Sequence, residues 1–203
     1  MRLGLIGPAQ GNDEALERAA RFLLHEVAID RAVYLCFDQA LERVVHKWAA
    51  ELVHGDPSDP ALWRRAASQC ADAAPDAIRA FIQGERERQR LQAFESLPDS
   101  GARVIELLNG RVAVMLYDKA DLDEEDMLPA AFLVFGASQQ PLVKRVGSRW
   151  FLSPGTLGHF GVMTLEDRDD GIHLTLYDSL CHEIRRERLI SEKSARVRVA
   201  GQD

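Results

Sequence analysis

The first loop of the chain places residues that can bind an anion beside residues that oppose one. Gly7-Pro8-Ala9-Gln10-Gly11-Asn12 follows a short apolar run and precedes an amphipathic helix. Backbone N–H groups at a helix N-terminus attract small anions. Pro8 has no N–H group, however, and the acidic Asp13 and Glu14 repel an anion. The loop holds no carboxylate, histidine, lysine or serine, so the sequence predicts at most weak anion binding there.

The other ionisable side chains show no spacing typical of a metal or catalytic site. His159 follows a Pro-Gly turn, and a loop histidine of this kind usually has no special role. The acidic stretch Asp121–Asp126 lacks the glycine and the glutamate that a calcium loop needs, and it predicts an acidic helix N-terminus. No Ser–His–Asp or Cys–His signature is present. Four further histidines fall within predicted helices or strands: His25, His46, His173 and His182.

Composition narrows the class of protein and of partner. The chain has 203 residues and a formal net charge of −7, and an acidic surface disfavours nucleic-acid binding. No apolar run approaches the roughly 20 residues that span a bilayer, and Arg2 is followed at once by a strand pattern rather than a secretory leader. The three cysteines are expected to be reduced. We therefore expect a soluble, cytoplasmic protein with neither a nucleic-acid nor a membrane partner.

The elements that position these residues begin with a βαβ unit. Arg2 to Ile6 is an apolar run typical of a buried strand. Asn12 is a favourable helix cap, and the apolar positions that follow share one helical face. Ala32 to Phe37 predicts a second buried strand, so the two strands should be parallel.

The middle of the chain is predicted to be helical and the second half to be rich in strands. The charged run "GERERQRLQ" is interpreted as a solvated helix face. Asn109-Gly110 and Gly147-Ser148 each predict a hairpin, and a last strand is expected near His182 to Leu189. The order predicts an α/β sandwich with a helical insert and a mostly antiparallel second half. Residues 190–203 are a tail that either frays or adds an edge strand.

Five sequence fragments follow one another along the chain: "MRLGLIGPAQGNDEALERA", "VYLCFDQ", "VAVMLYDKA", "LVFGASQQP" and "SPGT". Taken in this order, they resemble the small calcineurin-like metallophosphoesterases of the bacterial phosphodiesterase type. These begin with a strand, Asp-x-His-Gly-Asn and a helix, where this chain has "MRLGLIGPAQGNDEALERA". "VYLCFDQ" stands at the family's Gly-Asp, and "VAVMLYDKA" at its histidine-glycine pair. "LVFGASQQP" stands at Gly-His-Thr-His-x-Pro, and "SPGT" at Asn-Pro-Gly-Ser. The resemblance implies one α/β sandwich domain over residues 1–189, with two mixed sheets flanked by helices and an insert at about 52–99.

The resemblance also implies where two divalent metals would be held, and those positions depart from the family. The ligand positions fall on Pro8, Gln10, Phe37 (or Asp38, if the register slips by one), Tyr117, Ala137 and Gln139. The family's asparagine–histidine pair has only a loose candidate around His54 and Asp56. Two-metal hydrolysis needs several anionic or imidazole ligands. Their loss predicts that the chain has no metal cofactor and does not hydrolyse phosphoesters by the family mechanism.

Three hypotheses of function follow. The first is a catalytically inactive protein-interaction or regulatory scaffold whose partner binds the helical middle. The second is an enzyme with a divergent site for a divalent metal such as manganese, built from Asp38, Asp118, His159 or His54. The third is a sensor of a nucleotide or phosphate in the former active-site pocket. The candidate pocket residues are Gln10, Asn12, Asp38, Tyr117, Asp118, Gln139, Gln140 and His159.

Overall fold

The first βαβ unit forms as the sequence predicts, in a computed structural model that describes residues 1–71 and 73–189. Strand β1 (Arg2–Ile6), helix α1 (Asp13–Phe22) and strand β2 (Arg31–Tyr34) follow in order, and β1 pairs with β2 in parallel. Helix α1 continues into a π-helical turn over Leu23–Val27. The second strand is shorter than predicted: it ends at Tyr34, and the Leu35 N–H group makes the last bond to β1, with the Ile6 carbonyl at 2.8 Å.

The middle of the chain is mainly helical but contributes one strand that the sequence did not predict. Strand β3 (Phe94–Ser96) pairs in parallel with β2 and extends the first sheet, so the predicted insert at about 52–99 is not wholly helical. Within the described ranges, no helix is long and apolar enough to cross a bilayer. The helices are α2 (Ala40–Val53), α3 (Leu62–Cys70) and α4 (Pro75–Arg90), with 3-10 turns at Asp59–Ala61 and Leu91–Ala93.

The charged run on α4 is not a fully solvated face, and this corrects the interpretation from sequence. Glu85 and Arg88 are buried with Arg65 of α3. The Nε atoms of Arg65 and Arg88 donate to the two oxygens of Glu85 at 2.6 and 2.8 Å. Burial alone would raise the pKa of the Glu85 carboxyl, but the two guanidinium groups lower it below its usual range. The run therefore supplies a buried ion cluster between two helices as well as solvated residues.

The second half is built from hairpins, two of them at the predicted turns. Asn109-Gly110 joins β4 to β5, and Gly147-Ser148 joins β7 to β8. The acidic stretch forms a short helix that Asp123 caps, as predicted. His182 lies just before the last strand, not within it. The elements are β4 (Val104–Leu108), β5 (Arg111–Leu116), α5 (Glu124–Met127), β6 (Ala130–Phe135), β7 (Leu142–Val146), β8 (Arg149–Ser153), β9 (Val162–Arg168), β10 (Gly171–Tyr177) and β11 (Glu183–Leu189).

Two mixed sheets pack face to face, which confirms the predicted α/β sandwich. The first sheet has the order β11-β10-β9-β1-β2-β3 and the second the order β4-β5-β6-β8-β7. Fully buried side chains from both sheets form the core between them, among them Leu5, Met115 and Leu165. Helices α1 and α2 cover the outer face of β1 and β2. The predicted tail, residues 190–203, lies outside the described residues.

Candidate functional site

The loops that follow five strands meet at one edge of the two sheets. These strands are β1 and β2 of the first sheet and β5, β6 and β8 of the second, and within each sheet they run parallel. We call this edge the strand-end site; it consists of residues 7–12, 35–39, 117–121, 136–141 and 154–161. Because the carboxyl ends of parallel strands share an edge, ligand sites of α/β proteins commonly lie there. The predicted site residues other than His54 therefore fall in one region.

Backbone contacts hold the loops of the two sheets tightly together. The Leu157 N–H group donates to the Pro8 carbonyl at 3.1 Å, and the Gly7 N–H group donates to the Gly161 carbonyl at 2.8 Å. A Cβ atom on Gly7 would overlap the Gly155 carbonyl oxygen, and one on Gly136 would overlap the Leu35 carbonyl oxygen. Glycine is thus required at both positions by close backbone approach.

A buried tyrosine connects the first two loops. The Tyr34 hydroxyl accepts the Ala9 N–H group at 2.9 Å and donates to an oxygen of Asp38 at 3.1 Å. The other Asp38 oxygen accepts the Ala40 N–H group at 3.0 Å, at the start of α2. Burial raises the pKa of Tyr34 far above its usual range, so the phenol keeps its proton. Asp38, the one carboxylate near the predicted bridging position, is therefore engaged in a structural link.

Aromatic and sulfur side chains occupy the centre of the strand-end site. The rings of Phe37 and Tyr117 meet edge to face, with centroids 5.0 Å apart. Cys36 is buried behind them. Burial, followed by the charge of Asp38, raises the pKa of the Cys36 thiol. Burial likewise raises the pKa of Tyr117. These groups are neutral at physiological pH and are poor ligands for a cation.

Three of the predicted pocket residues, Gln10, Asn12 and Asp118, lie on the loops after β1 and β5, and two of them act as caps. The Asn12 side chain accepts the Ala15 N–H group at 3.1 Å and caps α1. Asp118 accepts the Ala120 N–H group at 2.9 Å in the same manner. Gln10 is exposed and has a positive φ of 52°.

The remaining predicted residues contact their neighbours chiefly through the backbone. Ala137 donates its N–H group to the Tyr117 carbonyl at 2.7 Å, which connects the loops after β5 and β6. The Gln140 carbonyl accepts the Ser138 hydroxyl at 2.7 Å. Gln139 and His159 are exposed, and each accepts a backbone N–H group through its carbonyl.

His54 does not join the strand-end site. It ends α2, whereas the strand-end site lies at the other end of that helix. A helix of 14 residues is about 21 Å long, so the two are widely separated. The side chain of nearby Asp56 accepts the Ser58 N–H group at 3.0 Å. The hypothesis that His54 contributes to a metal site at the strand ends is therefore wrong.

The donor set of the strand-end site does not fit a pair of divalent metals. Pro8, Phe37 and Ala137 offer no side-chain ligand atom, and Gln10 and Gln139 offer only neutral amide oxygens. Across residues 1–71 and 73–189, no three histidine, cysteine, aspartate or glutamate side chains are grouped so that they could hold a metal ion. The arrangement supplies hydrogen bonds and ring contacts between loops rather than a cluster of metal ligands.

Sequence reasoning missed Tyr34 as a residue of this site. It lies in a strand that is otherwise apolar, and its hydroxyl is buried. A buried phenol needs a hydrogen-bond partner, and Asp38 four residues later was the visible candidate. That pairing could have been proposed from the sequence, but the bond to Ala9 depends on how β1 and β2 pair.

Solved structures share this fold, although no family model and no curated protein matches the chain. An archaeal phosphodiesterase is similar with 8% identity over 87% of this chain and 99% of its own, at a TM-score of 0.50. A predicted phosphoesterase of Streptococcus pneumoniae has 11% identity over 93% and 99% of the two chains, at 0.48. Zinc-complexed Vps29 of Entamoeba histolytica has 14% identity over 93% and 98%, at 0.46.

These likenesses concern the fold alone, because every identity is low. The two mixed sheets with flanking helices are those of the calcineurin-like metallophosphoesterase fold, as the resemblance of the five fragments implied. The chain is therefore phosphoesterase-like in architecture.

Proposed function

We propose that this protein is a catalytically inactive, phosphoesterase-like scaffold that binds another protein. One observation carries the proposal: the positions that would hold metal in this fold are taken by side chains without anionic or imidazole donors. The clearest examples are Pro8, Gln10, Ala137 and Gln139. They lie on loops after β1 and β6, so the loss affects both sheets.

The chemistry of two-metal hydrolysis explains why these replacements matter. Each divalent ion must be compensated for its lost hydration by several charged or imidazole ligands. The metals of such a site generate the hydroxide nucleophile and stabilise the charge that develops on the phosphoryl group. Asp38 alone cannot supply this ligand set, and both of its oxygens already accept hydrogen bonds. We therefore expect no bound metal cofactor.

The strand-end site has internal bonds that can preserve the fold without an ion. The Tyr34 hydroxyl links the loops after β1 and β2, and the Ala137 N–H group links those after β5 and β6. Such bonds hold neighbouring loops together, as metal ions bound by several loops would otherwise do. A retained fold whose loops are held by their own hydrogen bonds is the expected form of a scaffold.

The partner surface is proposed on the helical middle. Trp63 of α3 exposes 80% of its surface. Ile78 and Ile82 are one turn apart on α4 and are also exposed. Exposed aromatic and aliphatic side chains are enriched where proteins bind one another. These residues favour a protein partner over a small ligand as the function of this segment.

Metal content and turnover together test the loss of catalysis. The chain, purified in the presence of manganese, is expected to retain far less than one ion per molecule and to leave a bis-aryl phosphodiester intact. Stoichiometric metal together with turnover that Asp38→Ala abolishes would overturn the proposal. Asp56→Ala is the matched control, because that carboxylate lies near the far end of α2.

Quantitative capture tests the scaffold role. Proteins that bind the wild-type chain are expected to be lost with the double variant Trp63→Ser/Ile82→Ser. They should be retained with Ile105→Ser, since Ile105 is an exposed apolar residue of β4, outside the helical segment. Equal recovery with both variants would exclude the helical middle as the partner surface.

A further inference from the structure

The outer face of the first sheet carries rows of polar side chains on the half that α1 and α2 leave uncovered. Antiparallel pairing sets the rows, because residues opposite each other point to the same face. The row Arg2, Glu166, His173 and Arg188 crosses β1, β9, β10 and β11, and the next row is Gly4, Thr164, Thr175 and Arg186.

These rows form the floor of a cavity of about 340 Å³, which we name the sheet-face pocket. Its walls include Phe22 and Val27, from α1 and the π-helical turn, and Tyr177 of β10. The rings of Phe22 and Tyr177 meet edge to face at 4.9 Å. The volume is at the lower end of the range for small-molecule sites. The pocket therefore offers an apolar wall beside a polar floor.

Two hydroxyl groups in the floor have no partner within the described residues and are open to the pocket. Thr164 and Thr175 are directly opposite each other, and as whole residues they are only 4% and 8% exposed. Neither hydroxyl makes a hydrogen bond within the described residues, and neither is among the buried side-chain atoms that lack a partner. Both line the pocket, so these hydroxyls can bond to water or to a ligand there.

The charge around the floor favours an anion. The Nε atom of Arg2 and an Nη atom of Arg168 bind the two oxygens of Glu166, at 2.9 and 2.5 Å, and so neutralise that carboxylate. Arg186 contacts Glu183 with one Nη atom at 2.5 Å, and its side chain is 59% exposed. Its guanidinium therefore has further N–H groups available for a ligand.

The lining has a different charge from the rest of the protein. Three arginines and two glutamates line the pocket, which gives it a net positive charge, whereas the whole chain carries −7. A positive site on an acidic protein attracts anions locally. Guanidinium forks and hydroxyl donors match the oxygens of a phosphate.

We propose that the sheet-face pocket binds a small organic phosphate monoester of about nucleoside monophosphate size. The phosphate would lie between Arg186 and the hydroxyls of Thr164 and Thr175. The organic group would pack against Phe22 and Tyr177. This site is distinct from the strand-end site, and the proposal does not rest on the proposed function.

Calorimetric titration of the full chain with three probes tests the site. Adenosine monophosphate is the organic phosphate, inorganic phosphate is the anion alone, and adenosine is the uncharged organic group. We expect the monophosphate to bind, inorganic phosphate to bind at least about tenfold more weakly, and adenosine not to bind. The phosphate and the organic group would then each account for a change in affinity of about tenfold or more. Equal binding of phosphate and monophosphate would mean an adventitious ion only and would overturn the proposal.

Variants assign the binding to the named residues. Thr164→Val/Thr175→Val and Arg186→Gln should each weaken the monophosphate by about tenfold or more, since a hydrogen bond to a charged group is typically worth that much. Thr156→Val at the strand-end site and Arg145→Gln on β7 are matched controls and should change affinity less than twofold. Unchanged binding in the pocket variants, or loss with Thr156→Val, would overturn the proposal.

Two further measurements distinguish a loss of ligand binding from unfolding of the variant and from binding through a metal ion. Thermal unfolding shows whether the variants remain folded, and the monophosphate should raise Tm in the wild type but not in the threonine double variant. Titration with a chelator present should give the same affinity. Loss of binding on chelation would place the ligand on a metal and overturn the proposal. Retained binding together with bound, catalytic metal would overturn only the proposed function.

Discussion

Hydroxyl groups are placed differently in two regions of the first sheet. At the strand-end site, the buried Tyr34 hydroxyl accepts a hydrogen bond from the Ala9 N–H group and donates one to Asp38. In the sheet-face pocket, the hydroxyls of Thr164 and Thr175 are open to the pocket and bond to nothing in the described chain. The first arrangement satisfies its polar groups internally, and the second leaves them available.

This difference indicates which region is built to meet a ligand. A polar group that the fold satisfies contributes to stability, whereas one that is open to a pocket can exchange its water for a ligand. The bonds of Tyr34 and Asp38 make the strand-end site part of the structural framework. The sheet-face pocket keeps the properties expected of a binding site.

The charged side chains of the two regions also differ, and they too favour the sheet-face pocket as the place for an anion. The strand-end loops carry three carboxylates, those of Asp38, Asp118 and Asp121, and one lysine, Lys119. The sheet-face pocket is lined by three arginines that outnumber its glutamates. An anionic ligand is therefore expected to prefer the pocket to the strand-end site.

The largest expected effect on stability comes from removing the Tyr34 hydroxyl, which is bonded within the fold. Tyr34→Phe should lower the free energy of unfolding by about 2 kcal/mol, because it leaves the buried Ala9 N–H group without its acceptor. Chemical denaturation followed by circular dichroism measures this change. An unchanged midpoint would contradict a structural role for the link between the first two loops.

Tyr117→Phe is the matched control for that measurement. Tyr117 is half-buried at the same site, and its ring contacts Phe37, but its hydroxyl makes no hydrogen bond within the described part of the chain. Its removal should change the free energy of unfolding by less than about 0.5 kcal/mol. A similar loss of unfolding free energy in both variants would show that removing either hydroxyl destabilises the site, and that the Tyr34 hydrogen bonds have no special role.

The arrangement of the loops could be predicted from the sequence because it depends on local patterns. Apolar runs ending in glycine-rich or polar loops marked the strands after which Pro8, Asp38, Tyr117 and Ala137 lie. The cap at Asn12 and the hairpin at Asn109-Gly110 needed only a few neighbouring residues. Each of these features is decided within one or two turns of chain.

Other features depend on partners far away in the sequence and were missed for that reason. Strand β3 has three residues, too few for an alternating pattern, and it exists because β2 offers it a partner edge. Glu85 is buried because Arg65, on another helix, reaches it. Thr164 and Thr175 lie on neighbouring strands, and the pocket around them also needs Phe22 and Val27, which are far away in the sequence.

The smallest expected change in stability comes from removing the unpaired hydroxyls. Thr164→Val/Thr175→Val replaces with methyl groups two hydroxyls that line the pocket and bond to nothing in the described chain, so the free energy of unfolding should stay within about 0.5 kcal/mol of wild type. The same denaturation measurement applies, and Tyr34→Phe supplies the opposite result. A loss comparable with that of Tyr34→Phe would mean that the fold itself needs these hydroxyls, and the contrast between the two regions would fail. Unchanged stability combined with weakened monophosphate binding would instead show that the hydroxyls are kept for the ligand.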